Sequence, residues 1–406
     1  MRHCATGPPD SSIGLVTGSE ANDAGFLARD AVDCLPVGGL ERKLATSRPL
    51  RVKLGLDPTA PDVHLGHTVV LRKLREFQDR GHVVVLIIGD YTARVGDPSG
   101  RSSMRPVLSD EEIDANARTY VEQAARVLDP DRIELRHNSE WLDMAMADLF
   151  ALARTTTVAQ LLERDDFSKR YAAHEPISVL ELLYPLMQAY DSVAVRADVE
   201  LGGTDQKFNL LLGRDVQRAY GVDEQVALTM PLLTGLDGER KMSKSLGNHI
   251  GVSEPAEEIY GKTLSLPDAA MAGWFTLMLG EPPPVGSSAR DAKHALARRL
   301  VELLHGASAA ERAASHFDRV VVQRELPEDI ADAPFDSYAA TIHLPALISE
   351  SFGRSRSDAR RLLEQGAVRL DGAILTQDDL DIAPARLEGT VLQVGKRGFR
   401  RMRGTA

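Results

Sequence analysis

The sequence predicts an α/β protein, with a parallel-sheet domain followed by a helical domain and a small α+β module. Three observations carry this expectation. Leu50–Leu56, Gly66–Arg80 and Val83–Ile88 alternate as strand, helix and strand. The stretch from Pro255 to Leu304 is mainly helical in pattern. The tail from Thr341 to Ala406 combines a basic helix, a short strand and a tight turn. A chain of 406 residues exceeds what one hydrophobic core usually spans, so two or three domains are expected.

Leu50–Leu56 reads as a buried strand, and the loop after it holds Asp57, Pro58 and Pro61. Val69, Leu71, Leu74 and Phe77 recur at helical spacing, and Gly81 is the natural stop. Val83–Ile88 is an unbroken aliphatic run, as in a strand covered on both faces. Together these form a βαβ unit, whose crossover is right-handed. Val179–Asp191 reads as a helix with Pro185 inside it, and Val199–Leu201 as a strand running into Gly202-Gly203. In Arg290–Leu304, Ala292, Leu296, Leu300 and Leu303 share one side of a helix. The expected divisions are an N-terminal extension, partly disordered, at 1–34; a sheet domain with an insertion at 35–250; a helical domain at 251–330; a linker at 331–340; and the small module at 341–406.

Apolar residues make up 43% of the chain and charged residues 26%, ordinary for a globular protein. No run of 18 apolar residues occurs, so no membrane-spanning helix is expected. The first residues show no signal-peptide pattern. Cys4 and Cys34 match no metal-ligand spacing and are expected to be free thiols in a reducing cytoplasm. The net charge is −11, but residues 341–406 hold 11 basic against 8 acidic side chains, a balance of +3 that leaves −14 on the remainder. An acidic body with a basic tail suits a polyanion held locally.

Two motifs carry chemistry. His64-Leu65-Gly66-His67 lies where a strand gives way to a helix N-terminus, where backbone N–H groups and the helix dipole receive anions. The two imidazoles are three residues apart on one face of the first turn and can donate to phosphate oxygens. Gly66 lets a flat base or a ribose approach the backbone. Two histidines capping a helix would be the ordinary alternative. Lys241-Met242-Ser243-Lys244-Ser245, followed by Leu246-Gly247-Asn248, places two lysines in a small polar loop. Such a loop can clamp charge that develops on a polyphosphate. A lysine-rich surface loop would be unrelated to the histidines, whereas here the two motifs occur together and in order.

These motifs resemble the two signatures of class I aminoacyl-tRNA synthetases, which implies a Rossmann-like catalytic domain. Gly96-Asp97-Pro98-Ser99-Gly100, Tyr184–Asp191 and Gly202-Gly203-Thr204-Asp205-Gln206 resemble the bacterial tyrosyl-tRNA synthetase family in particular. The resemblance implies activation of tyrosine with ATP, release of pyrophosphate, and transfer to the 3′ end of a tRNA. It implies Asp97, Tyr184 and Gln188 for the ammonium, Asp191 for the phenol hydrogen and Gln206 for tyrosine or its adenylate. Toward ATP it implies Asp57, Gly66, Gly203, Asp205 and Lys244, with Thr59, His64, His67, Lys241 and Lys244 acting on the departing pyrophosphate. Mg²⁺ is expected to arrive with ATP, since no protein metal cluster is visible, and no tightly bound cofactor is expected. One position departs from the family: a tyrosine is common two residues before the strand glycine, and this chain has Lys53 before Gly55. Either Asp191 and a different partner read the phenol, or the strand alignment is shifted.

The run Phe352–Leu363 reads as a capped basic helix, Gly366 as its stop, Ala367–Leu370 as a strand and Asp371-Gly372 as a turn. It resembles the S-four-type RNA-binding domain, which implies tRNA contacts from Arg354, Arg356, Arg360, Arg361, Lys396 and Arg397. Phosphate contacts of this kind confer salt-dependent affinity. The family is dimeric, which implies a homodimer. The tryptophanyl enzyme is the nearest alternative; Asp191, the Gly-Gly-Thr-Asp-Gln loop and the added RNA module stand against it.

Overall fold

The computed structural model describes residues 18–58, 62–97, 109–322, 330–395 and 398–405. It divides into two units, Met1–Glu254 with Ser265–Lys293, and Pro255–Leu264 with His294–Ala406.

The first unit is built on a six-stranded sheet of β1 (Asp33–Leu35), β2 (Arg51–Leu56), β3 (Val83–Ile88), β4 (Ile133–His137), β5 (Val199–Gly203) and β6 (Val226–Met230), in the order β1-β6-β5-β2-β3-β4. Every neighbouring pair is parallel except β1 with β6. Helices α1 (Gly18–Leu27), α2 (Gly39–Leu44) and α3 (Leu65–Asp79) precede β3, and α4 (Asp110–Ala124) separates β3 from β4. The short α5 (Ser139–Leu142), α6 (Met146–Ala153), α7 (Val158–Leu161) and α8 (Asp165–Ala172) lead into α9 (Val179–Ala194), and α10 (Lys207–Ala219) joins β5 to β6. The sheet interior is aliphatic: Val84–Ile88 are fully buried, as the unbroken run predicts for a doubly covered strand.

The expected N-terminal extension is shorter than residues 1–34, because α1 and β1 lie inside it. Leu27 is fully buried, and Phe26 lies between the guanidiniums of Arg29 and Arg80 at 3.8 and 3.7 Å. Among the described residues Cys34 is a free thiol, and burial pushes it up to about 11. Cys4 lies outside the described residues.

Beyond the sheet come α11 (Ala256–Leu264), α12 (Met271–Trp274), α13 (Ala289–His305) and α14 (Ala307–Phe317). The helical domain expected at 251–330 does not stand alone. Trp274, fully buried, donates its indole N–H to the Thr234 carbonyl at 3.1 Å and ties α12 to the sheet unit. Tyr260 of α11 stacks near His294 and Phe317 within the other unit.

The second unit also contains β7 (Asp332–Asp336), β8 (Ile342–His343), α15 (Leu344–Phe352), α16 (Arg356–Glu364), β9 (Val368–Leu370), β10 (Ala373–Leu375), β11 (Asp381–Ile382), β12 (Val391–Val394) and β13 (Gly398–Thr405). Five of these strands form a sheet in the order β10-β9-β12-β13-β7. The expected linker at 331–340 is therefore part of the module: β7 pairs in parallel with β13 from Asp332↔Arg401 to Asp336↔Thr405. Pro334 is tolerated because β7 is an edge strand, where one N–H has no ladder to join. The basic helix begins later than Phe352. Gly353, at φ +66°, ends α15, and Ser355 caps α16 by accepting the Asp358 N–H at 3.1 Å.

Phe335 of β7 is 5% exposed and packs into the module core with Leu344, Ile348 and Met402. Phe335→Ala should cost the module about 3–5 kcal/mol. Hydrogen exchange on the full chain should then show faster exchange in β12 and β13 with β2 and β3 unchanged. Unchanged protection throughout would mean that β7 carries no core load.

Candidate active site

The β2–β3 ladder runs in register from Arg51↔Val83 to Leu56↔Ile88, but β2 and β5 are paired only at Val52↔Val199 and Lys53↔Glu200. Past that rung the carboxyl ends of β2 and β5 separate. This is the point in the strand order where the chain turns from one half of the sheet to the other, the usual place for a ligand crevice in an open α/β sheet. Asp57 follows β2, Asp97 lies in the loop after β3, Asp205 and Gln206 follow β5, and α9 supplies Tyr184, Gln188 and Asp191.

Asp57 is a hub. Its Oδ1 accepts the Thr92 hydroxyl at 2.7 Å and its Oδ2 accepts the Tyr184 hydroxyl at 2.9 Å. Tyr184, expected beside Asp97, is thus joined to Asp57. Asp97 accepts from Gln206 Nε2 at 2.9 Å and lies 3.6 Å from the Arg164 guanidinium. Gln188 donates to Glu200 at 3.3 Å and accepts from Asn209 at 2.9 Å. Asp97, Gln188 and Gln206 are therefore brought together, through Asn209 and Arg164, which sequence reasoning did not single out.

Asp191 is 3% exposed and accepts the Trp141 indole N–H at 2.8 Å. Burial pushes its carboxyl up to about 7, against the opposing pull of Lys53 and Trp141. Lys53 is fully buried; its ammonium donates to Glu200 at 2.9 Å, Ser192 Oγ at 2.8 Å and the Gln188 carbonyl at 3.0 Å. All three of its protons are used within the protein, so Lys53 does not stand in for a phenol-reading tyrosine. Glu200 was readable in principle, since a carboxylate inside a buried strand signals a buried partner.

The His64–His67 pair caps α3. The His64 N–H donates to His67 Nδ1 at 3.2 Å, which places the proton of a neutral His67 on Nε2, and the two rings stand 3.9 Å apart. Burial, then the neighbouring His67, Lys244 and His249, lowers His64 to about 2. Burial and Lys244 lower His67 to about 4. Both rings are neutral donors at neutral pH. His64 Nδ1 is buried without a hydrogen-bond partner among the described residues. A Cβ on Gly66 would come 3.0 Å from the His64 ring, so the glycine makes room for the imidazole as well as for any ligand. The Leu65 N–H donates to the Ile250 carbonyl at 2.9 Å, binding this turn to the segment just after the lysine loop.

In that loop, Lys241 donates to Asp205 Oδ2 at 2.7 Å and Lys244 to the Asp62 carbonyl. Burial lowers the Lys244 ammonium. Asn248, 5% exposed, braces the loop by accepting the Ser243 N–H at 2.8 Å and donating to Asp237 at 2.9 Å and the Lys241 carbonyl at 3.2 Å. A Cβ on Gly203 would meet Leu232 at 2.6 Å and Asp205 at 2.8 Å, so only glycine fits beside that carboxylate. Lys244 stands close enough to both histidines to lower them, and Asp205, which holds Lys241, close enough to raise His67, so the lysine loop and the histidine turn are neighbours. Thr59 and residues 98–100 lie outside the described residues.

The carboxylates suit a cationic amine, and the lysine loop with the N-terminus of α3 suits an anion. The family model for class I tRNA synthetases of the tryptophan and tyrosine type matches residues 45–321. A tyrosine--tRNA ligase of Moorella thermoacetica is 50% identical over 93% of this chain and 94% of its own length. The chain belongs to the tyrosine branch of the class I tRNA synthetases. The Salinibacter ruber ligase is likewise 50% identical, over 93% of this synthetase and 95% of its own length. Among solved structures, the tyrosyl-tRNA synthetase of Archaeoglobus fulgidus complexed with L-tyrosine shares the fold at a TM-score of 0.61, with 24% identity over 72% of this chain and 99% of that one. A C-terminally truncated mitochondrial synthetase from Aspergillus nidulans gives 0.60, with 22% identity over 74% of this chain and 99% of that one.

The Asp191 carboxyl binds its proton more tightly in the folded state than its ordinary value of 3.8. Its contribution to stability is therefore full at acid pH and is lost as pH rises from 3.8 to about 7. Asp191→Asn keeps an acceptor for Trp141 and carries no charge. Its stability in denaturant should gain on the parent across that range and then run parallel to it; a gap independent of pH would contradict the buried, protonated carboxyl.

Proposed function

We propose that this synthetase is a tyrosine--tRNA ligase that joins L-tyrosine to AMP and then to the 3′ end of its tRNA. The observation that carries the reading is the 50% identity, over 93% of the chain, to a protein named tyrosine--tRNA ligase. The two intact motifs, neighbours in the fold, support it.

In the first step the tyrosine carboxylate attacks the α-phosphorus of ATP, forming the acyl–phosphate bond while the α,β-bridging P–O bond breaks and pyrophosphate leaves. No general base is required, because the nucleophile is already an anion, so the protein's work is positioning and charge stabilisation. Asp97, with Tyr184 and Gln188, forms the hydrogen-bonding wall for the ammonium, and Asp57, which holds the Tyr184 hydroxyl, serves the ATP side. Asp191 and Gln206 close the tyrosine side. His64 and His67, as neutral donors, and Thr59 serve the pyrophosphate oxygens. Gly66 and Gly203 keep the nucleotide's approach open. Lys241 occupies Asp205, the carboxylate assigned to the ribose. ATP binding therefore exchanges Lys241 from Asp205 to phosphate, and Lys244 exchanges the Asp62 carbonyl for phosphate in the same way. Mg²⁺ accompanies ATP as part of the substrate; among the described residues no group of three or more His, Cys, Asp or Glu is arranged to hold a metal. The second step transfers tyrosine to the tRNA hydroxyl and releases AMP.

For tRNA we assign the exposed arginines of α16 and the turn before it. Arg354 and Arg361 pair with Asp358, whereas Arg356 and Arg360 form no ion pair among the described residues. Lys396 and Arg397, assigned to the same role, lie outside the described residues. For a second copy we assign the surface of residues 146–180, where Met146, Phe150, Val158, Tyr171, Val179 and Leu180 are exposed. No helix among the described residues is long and apolar enough to cross a membrane. We place the reaction in the cytoplasm, with protein synthesis.

His64→Ala should slow tyrosyl-adenylate formation about 100-fold or more while tyrosine binding at equilibrium stays within about twofold. Pyrophosphate exchange and equilibrium dialysis measure the two; equal losses would make the histidine structural. Arg356→Ala with Arg360→Ala should weaken tRNA binding and lower the slope of log affinity against log salt by about two, with adenylate formation unchanged. An unaltered slope would remove α16 from the tRNA surface.

A further inference from the structure

The Lys53–Glu200 pair is fully enclosed, and it meets Gln188 at two atoms, the side-chain amide nitrogen that donates to Glu200 and the backbone carbonyl that accepts from Lys53. From Glu200 a chain of side-chain hydrogen bonds runs Gln188 Nε2 to Glu200 at 3.3 Å, Asn209 Nδ2 to Gln188 Oε1 at 2.9 Å, and Arg164 to Asn209 Oδ1 at 3.1 Å. Asn209 Nδ2 also donates to Gln206 Oε1 at 3.0 Å, and Gln206 Nε2 to Asp97 at 2.9 Å. The ends of this chain are chemically one-way. A carboxylate only accepts and a guanidinium only donates, so each amide between them can sit one way round. Lys53 and Gln188 share Glu200 Oε1, while Ser192 and Gln225 donate to Oε2, so every group around the carboxylate is a donor.

We propose that Glu200, its charge matched by Lys53, is a positioning residue for tyrosine recognition. It sets the polarity of the amide relay, so that Gln188 turns its carbonyl oxygen, and not its NH₂, toward the substrate ammonium. Were Gln188 flipped, an N–H donor would face the ammonium and repel it. Glu200 makes no contact with substrate; it acts through the orientation of Gln188 and, through Asn209, of Gln206. This rests on the assignment of Gln188 to the tyrosine site.

Two double variants separate orientation from structure. Lys53→Met with Glu200→Leu removes the ion pair as a unit, leaving no orphan charge, and deletes the acceptor that orients Gln188. Lys53→Met with Glu200→Gln also removes both charges but keeps a carbonyl acceptor there. In the full-length enzyme the first should raise the KM for tyrosine about tenfold, with the KM for ATP and kcat near the parent's, and the second should restore the tyrosine KM to within about threefold. Gln188→Ala is the reference. If it leaves the tyrosine KM unchanged, the assignment of Gln188 itself fails. If it raises KM while the Leu double variant does not, the relay is overturned. Parallel losses in tyrosine KM, ATP KM and kcat for both double variants, with a lowered Tm, would also overturn it, since the pair would then be structural only.

Discussion

The site depends on the rung at which β2 and β5 part. Lys53 and Glu200 are partners across two parallel strands and form an ion pair at 2.9 Å with 0% and 2% of their side chains exposed. Two charges enclosed in a sheet are costly unless every proton and lone pair is used. Here Ser192, Gln188 and Gln225 complete the set. Beyond this rung β2 and β5 share no further ladder pairs.

What lies beyond that rung is pre-organised by hydrogen bonds that end on charged groups. Asp57 ties the strand end to Thr92 and Tyr184, Asp97 holds Gln206, and Asp191 holds Trp141. The polyphosphate end differs. There Lys241 rests on a carboxylate and Lys244 on a carbonyl, while both histidines are held neutral by burial and by Lys244, His64 also by His67. A fixed amino-acid pocket beside an exchangeable cation clamp matches a reaction whose charge moves onto the leaving pyrophosphate.

The parts legible in the sequence were those whose signal is local. The two motifs, the β2–α3–β3 unit and the Gly81 stop all follow from neighbouring residues, and Gly81 indeed takes a left-handed conformation at φ +83°. What was not legible depends on register. Lys53 is unreadable without knowing that Glu200 stands opposite it, Arg164 reaches the site from the start of α8, and Asn209, three residues past Gln206, carries no motif of its own. β7 reads as a linker in the sequence because Pro334 and its acidic neighbours mimic one, although an edge strand beside β13 accommodates them. The helix expected from Phe352 divides at Gly353, whose positive φ only the fold requires.

The central claim is that this crevice activates tyrosine. Amino-acid-dependent exchange of pyrophosphate into ATP, measured with each of the twenty amino acids in turn, tests it most directly. Tyrosine alone should support exchange, with phenylalanine and tryptophan near background. Exchange driven by tryptophan as well as by tyrosine, or exchange with no amino acid, would contradict the account.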